Sequence, residues 1–186
     1  SFWHPFNGDA YFQDWRYVPD LEPSSKGDYL TDVLTDKAIA VIEEQAAAKR
    51  AFFVNLWYHT VHTPIEGKPE LVEHYRRKIT DGHRQRNPHY AAMVHSMDEN
   101  IGRVLAKLDE LRLRENTLVV FSSDNGGFTR FCKLNKGLQV ANNAPLRSGK
   151  GSCYEGGIRV PLIVRGPGVT SNRRCSTPVV SCDLFH

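Results

Sequence analysis

Apolar positions at Leu30, Leu34, Ala38, Val41 and Ile42 recur every three to four residues. That is the stripe of an amphipathic helix. It predicts a helix opening after Lys26-Gly27-Asp28 and ending near Lys49-Arg50. A longer stripe at 90, 94, 97, 101, 104, 105, 108 and 111 predicts the strongest helix in the chain. Ala51-Phe-Phe-Val-Asn-Leu-Trp-Tyr58 is too short for a helix and rich in β-formers, so it reads as a buried strand. Thr117–Ser122 reads as a second strand and Arg159–Arg165 as a third, with Pro161 favouring an edge or a strand start. Residues 68–89 read as a solvated helix and loop, and 128–148 as loop.

Strand, long helix, strand is the βαβ order of an α/β fold, here a mostly parallel sheet flanked by helices. Function in such sheets collects outside the carboxyl ends of the strands. His59 and His62 follow the first strand; Asp124 and Asn125 follow the second. Both groups are therefore expected on one edge of the sheet. Seven aromatics fall in the first 17 positions without clean periodicity, which predicts an irregular segment packed on the core rather than a sugar-stacking platform.

Composition narrows the function classes. The 186 residues are 40% hydrophobic and 24% charged, ordinary globular values that argue against disorder. No apolar run approaches the roughly 18 residues of a transmembrane helix. A net charge of +3 is too small to suggest nucleic acid. Residues 68–89 hold six Lys/Arg against three Asp/Glu, a surplus equal to the net charge and a hint of an anionic partner. Cys132, Cys153, Cys175 and Cys182 show no C-x-x-C spacing, which excludes zinc-ribbon and thioredoxin readings. The opening Ser-Phe-Trp-His-Pro and the closing Cys-Asp-Leu-Phe-His give the expectation of a piece of a longer protein.

Three segments carry candidate chemistry. Asp124 and Asn125 offer hard oxygen ligands suited to calcium or magnesium, although Asn-Gly is also a turn dipeptide. The pair His59 and His62 could transfer a proton or decorate a surface loop. In Pro145–Pro161, Gly149 and Gly151 flank Lys150, so backbone could approach a ligand while the ammonium supplies a point charge. Ala144 stands where a P-loop needs glycine.

Taken in order, four segments resemble the sulfatase family of the alkaline phosphatase superfamily. They are Phe52 to Pro64, Tyr90 to Leu105, Asn116 to Gly127 and Pro145 to Pro161, with Pro178 to Phe185 following. The resemblance implies an alkaline-phosphatase-like fold, incomplete here, and sulfate-ester hydrolysis through a formylglycine nucleophile and one bound calcium. It matches Asp124 and Asn125 to metal ligands. It matches His62 to a histidine that contacts the sulfate and protonates the leaving oxygen, and Lys150 to a sulfate-binding lysine. His59 has no assured counterpart. The implied substrate is a sulfated carbohydrate or aryl sulfate, with no nucleic acid, and the implied parent is periplasmic or secreted. Cys/Ser-x-Pro-x-Arg, the family's nucleophile motif, does not occur, and neither does the early Asp-Asp pair. Residues 1–186 are thus expected to be part of a catalytic domain whose N-terminal portion and C-terminal domain are absent, inactive alone. A phosphodiester or phosphonate monoester hydrolase, or a non-catalytic sulfated-glycan binder, are the alternatives.

Overall fold

The computed structural model describes residues 1–3, 6, 21, 23–130 and 137–184. Cys132 and four of the early aromatics (Tyr11, Phe12, Trp15 and Tyr17) lie outside these. Three helices dominate: α1 (Leu30–Ala47), α2 (Pro69–Lys78) and α3 (Pro88–Glu110). A strand β1 (Val119–Ser122), a single helical turn α4 (Glu155–Ile158) and a strand β2 (Leu162–Arg165) follow.

The helices end where local chemistry ends them. Asn87 caps α3 by accepting from the amides of His89 and Tyr90, with Pro88 in the first turn, where its missing N–H costs nothing. At the other end Arg112 turns left-handed at φ +58. Leu113 N then donates to Leu108 O at 2.8 Å and Arg112 N to Asp109 O at 3.0 Å. Lys49 closes α1 in the same way, with Arg50 N on Gln45 O at 2.9 Å. Both are paired closing bonds of the Schellman type, built without glycine.

The buried faces differ from those the apolar stripes predict. On α1, Thr31 and Thr35 are buried while Val41 is 44% exposed. Hydroxyl bonding explains it: Thr31 Oγ1 pairs with Thr60 Oγ1 at 2.5 Å, and Thr35 Oγ1 with the Tyr58 hydroxyl at 2.7 Å. On α3 the buried residues are Ala92, Met93, Ser96 and Asn100, with Leu108 the one member of the predicted stripe among them. Asn100 Nδ2 donates to Asp32 of α1 at 2.7 Å, and Lys68 closes on the same carboxylate at 2.6 Å. Thr31 and Thr35 are satisfied by Thr60 and Tyr58 and Asn100 by Asp32, so burial costs these three little, whereas Ser96 Oγ is buried without a partner among the described residues.

The sheet expectation is met only in part. Between described residues the one ladder is antiparallel, β1 on β2, with Val119 opposite Arg165 and Ser122 opposite Leu162. A mostly parallel sheet does not appear among the described residues. Residues 51–58 form no strand, because no neighbouring backbone pairs with them among the described residues. Their exposure still alternates with period two, and Phe53 and Trp57 are 84% and 80% exposed. The strand-like alternation is present; the partners are not. The third expected strand is shortened to four residues that begin just after Pro161, as a proline without an N–H requires.

The core joins Phe2, Phe6 and Leu21 to Tyr29, Leu30, Val33, Ile65, Met93 and Val140. Phe2 O accepts from Leu30 N at 2.8 Å, and Tyr29 donates its hydroxyl to Glu66 O at 2.8 Å. The described part of the aromatic N-terminus therefore packs on the core, as expected. This packing also brings Phe2 beside the first candidate site residue.

Candidate active site

His59 and His62 sit in the turn that follows residues 51–58, closed by His62 N on His59 O at 2.9 Å. Their ring centroids are 5.0 Å apart, and the Phe2 ring lies 5.3 Å from that of His59. A carbonyl oxygen can only accept. The contact of His62 Nδ1 with Thr63 O at 3.1 Å is a hydrogen bond when Nδ1 carries the proton, and Thr63 Oγ1, 3.2 Å from the same nitrogen, can donate to it in the other tautomer. His59 is exposed overall, yet one side of its ring is covered by Phe2 and His62. That burial holds its pKa below the ordinary histidine value, helped by charge on His62 and, more weakly, on the N-terminus and Lys150. His59 is neutral at pH 7.

Asp124 and Asn125 follow β1 directly. Asp124 is exposed, with no hydrogen bond or ion pair among the described residues. Asn125 spends its amide nitrogen on Gly126 O at 3.0 Å, which leaves Oδ1 as its available oxygen. One carboxylate and one amide oxygen form the donor pair a hard cation takes, but calcium needs six to eight ligands. No group of three or more His, Cys, Asp and Glu that could hold a metal forms among the described residues. The pair thus fits as part of a calcium shell and not as a whole one.

Lys150 is half-buried, and its own amide donates to Gly127 O at 3.0 Å. That bond ties the Gly-Lys-Gly segment to the loop carrying Asp124 and Asn125. The glycines serve this contact. A side chain on Gly126 would run into Gly156 O, and one on Gly149 would meet Thr129 Cγ2 at 2.7 Å. Gly149 therefore admits its own chain, where the sequence suggested a ligand's approach. Gly151 is needed for its φ of +87.

Two features of the site were not legible in the sequence. Thr63 O receives both histidines, with His59 Nε2 at 3.3 Å. Asn143 Nδ2 lies 3.0–3.1 Å from the carbonyls of Gly127, Ser148 and Gly156. Asn143 sits in Asn-Asn-Ala-Pro, which reads as a turn, and no local signal marks it otherwise. Cys153, Cys175 and Cys182 are exposed free thiols.

Helices lie over a short antiparallel ladder, with oxygen donors, a lysine and a histidine pair on the connecting loops. The particular family follows from comparison. The sulfatase family model matches residues 1–186, and the chain belongs to that family. It is 37% identical over 157 residues to a sulfatase of Formosa agariphila, covering 80% of this chain and 27% of that one. It is 34% identical to dog N-acetylgalactosamine-6-sulfatase, covering 94% and 32%. Against human steryl-sulfatase it is 32% identical, covering 100% and 30%. Among solved structures, Ps i-CgsB in complex with k-i-k-neocarrahexaose shares the fold at TM-score 0.73 and 36% identity, over 87% of this chain and 33% of that one. The chain spans about a third or less of the length of these relatives. Its fold is that of solved sulfatases, of the alkaline-phosphatase type. No described helix is long and apolar enough to cross a membrane.

Proposed function

We propose that the protein to which these residues belong hydrolyses sulfate esters, with His62 and Lys150 gripping the sulfate and Asp124 and Asn125 holding part of a calcium shell. The observation that carries this reading is the bond from Lys150 N to Gly127 O at 3.0 Å, which ties the main chain of the lysine segment to the loop of the hard oxygen donors. The ammonium of Lys150 neutralises sulfate oxygens in ground and transition state alike, so it serves binding and turnover together. His62, held at Nδ1 by Thr63, gives a proton to the leaving oxygen as negative charge develops there. Calcium, when bound, would offset the charge of sulfate oxygens. The attacking group is expected from a formylglycine outside these residues, because no Cys/Ser-x-Pro-x-Arg occurs in them. Residues 1–186 alone are accordingly inactive. The same reading places the parent in the periplasm or outside the cell, acting on a sulfated carbohydrate or aryl sulfate.

The test is turnover of an aryl sulfate and of the matching phosphate mono- and diesters by the full-length parent and its Lys150→Ala variant. Sulfate turnover that falls in the variant supports the proposal. Preferential turnover of the phosphate esters would assign a phosphodiester or phosphonate hydrolase instead. No turnover of any ester, with a sulfated glycan still bound, would make it a binding protein.

A further inference from the structure

We infer that Asn143 is the positioning residue of the site: it sets Lys150 against the Asp124–Asn125 loop. The inference rests on the sulfate-binding reading of Lys150. Three segments meet at this one side chain. Gly127 continues the loop of Asp124 and Asn125, Ser148 lies two residues before Lys150, and Gly156 belongs to α4. Their carbonyls lie 3.0, 3.1 and 3.0 Å from Asn143 Nδ2. An amide nitrogen has two hydrogens, so one of them is shared between two carbonyls. Gly127 O accepts from Lys150 N as well, which makes it the common acceptor of Asn143 and the sulfate-binding segment.

The surroundings leave Asn143 little freedom. A side chain on Gly127 would stand 2.5 Å from Asn143 Oδ1, so the glycine is what lets the amide in. On the preceding residue, Gln85 grips the backbone of Asn142 at both ends, accepting from its N–H at 2.9 Å and donating to its carbonyl at 2.5 Å. The loop between α2 and α3 thereby holds the chain that presents Asn143. Across the knot, Gly156 N donates to Arg147 O at 2.9 Å, and the Arg147 guanidinium lies 3.7 Å over the Tyr154 ring. The segment from Arg147 to Gly156, with Lys150 in it, is thus closed on itself and tied to the Asp124–Asn125 loop by two main-chain bonds, Lys150 N on Gly127 O and Gly126 N on Gly157 O, with the Asn143 amide as the side chain that braces them. Remove its donors and the three carbonyls lose their shared partner, which loosens the register of Lys150 against Asp124.

The experiment is a double-mutant cycle in the full-length parent, with inorganic sulfate as the probe and its dissociation constant as the readout. Asn143→Asp keeps the shape and removes the donors. It should weaken sulfate by about ten- to a hundredfold, the scale seen when the partners that orient a ligand-binding group are removed. In the Lys150→Ala background the same change should cost little, because the group it positions is gone. Equal losses in both backgrounds would overturn the inference, since Asn143 would then be supporting the fold at large. No loss in either would overturn it as well. If Lys150→Ala by itself leaves sulfate affinity unchanged, the reading of Lys150 fails, which that single variant shows without reference to Asn143. Should Asn143→Asp not fold, judged by thermal unfolding, Gly127→Ala takes its place in the cycle, since the added methyl displaces the Asn143 side chain while leaving Lys150 untouched.

Discussion

His59 and His62 share one acceptor, the main-chain oxygen of Thr63, at 3.3 Å from His59 Nε2 and 3.1 Å from His62 Nδ1. The two rings are thereby fixed with opposite nitrogens engaged. On the proposed function His62 keeps Nε2 for a ligand, whereas His59 spends that nitrogen on the loop and packs its ring on Phe2. His62→Ala should lower turnover of an aryl sulfate in the full-length parent by about a hundredfold or more, the scale of a lost general acid. His59→Ala should cost clearly less. Equal losses would mean that the wrong histidine has been assigned the proton.

Asp124→Ala removes the one carboxylate of the donor pair. Calcium content of the purified parent, measured by elemental analysis, should fall, and metal-dependent turnover with it. Most of the fold should remain, because Asp124 is exposed and makes no hydrogen bond among the described residues. A variant that keeps its calcium would remove Asp124 from the shell.

Stability should fall as pH drops below about 6.5, the ordinary histidine value. His59 is held below that value by burial first and the His62 charge second, His89 by burial first and Arg76 second. A depressed folded pKa means that the unfolded chain binds more protons between that pKa and about 6.5, so acid favours unfolding across this window. Thermal unfolding of the parent at pH 7 and pH 5 reads the effect. A His59→Asn, His89→Asn double variant should show a flatter dependence, and an unchanged slope would assign the loss to other groups.

Arg112 occupies the left-handed closing position of α3 at φ +58, a conformation that strains any residue with a Cβ. Arg112→Gly relieves the strain and keeps both closing bonds, at the expense of a more flexible unfolded chain. The net expectation is a gain of about 0.5–1 kcal/mol by chemical denaturation. A loss would mean that the Arg112 side chain contributes more than its backbone costs.

Apolar spacing alone located the helices seen at residues 30–47 and 88–110, because a period of three to four residues is a local signal, whereas the Asn87-Pro88 start was read only from the structure. The sequence also carried the family, through four segments in a fixed order, and with the family the candidates His62, Asp124, Asn125 and Lys150. Which helix face is buried was decided only in three dimensions. Leu30, Ala38, Ile42 and Leu108 of the predicted stripes are buried, but Thr31, Thr35 and Asn100 join them because partners on other segments satisfy them, and a periodicity count cannot see a partner 29 or 68 residues away. Pairing was likewise tertiary. Residues 51–58 keep the two-residue alternation of a strand but have no neighbour to bond among the described residues, where the one ladder joins β1 to β2 antiparallel. The site's assembly belongs to the same level. Glycine spacing suggested an open ligand loop, whereas close packing makes those glycines the places where Gly126 meets Gly156 and Gly149 meets Gly127. Asn143 could hold them together only once that packing had brought three carbonyls within reach of one amide.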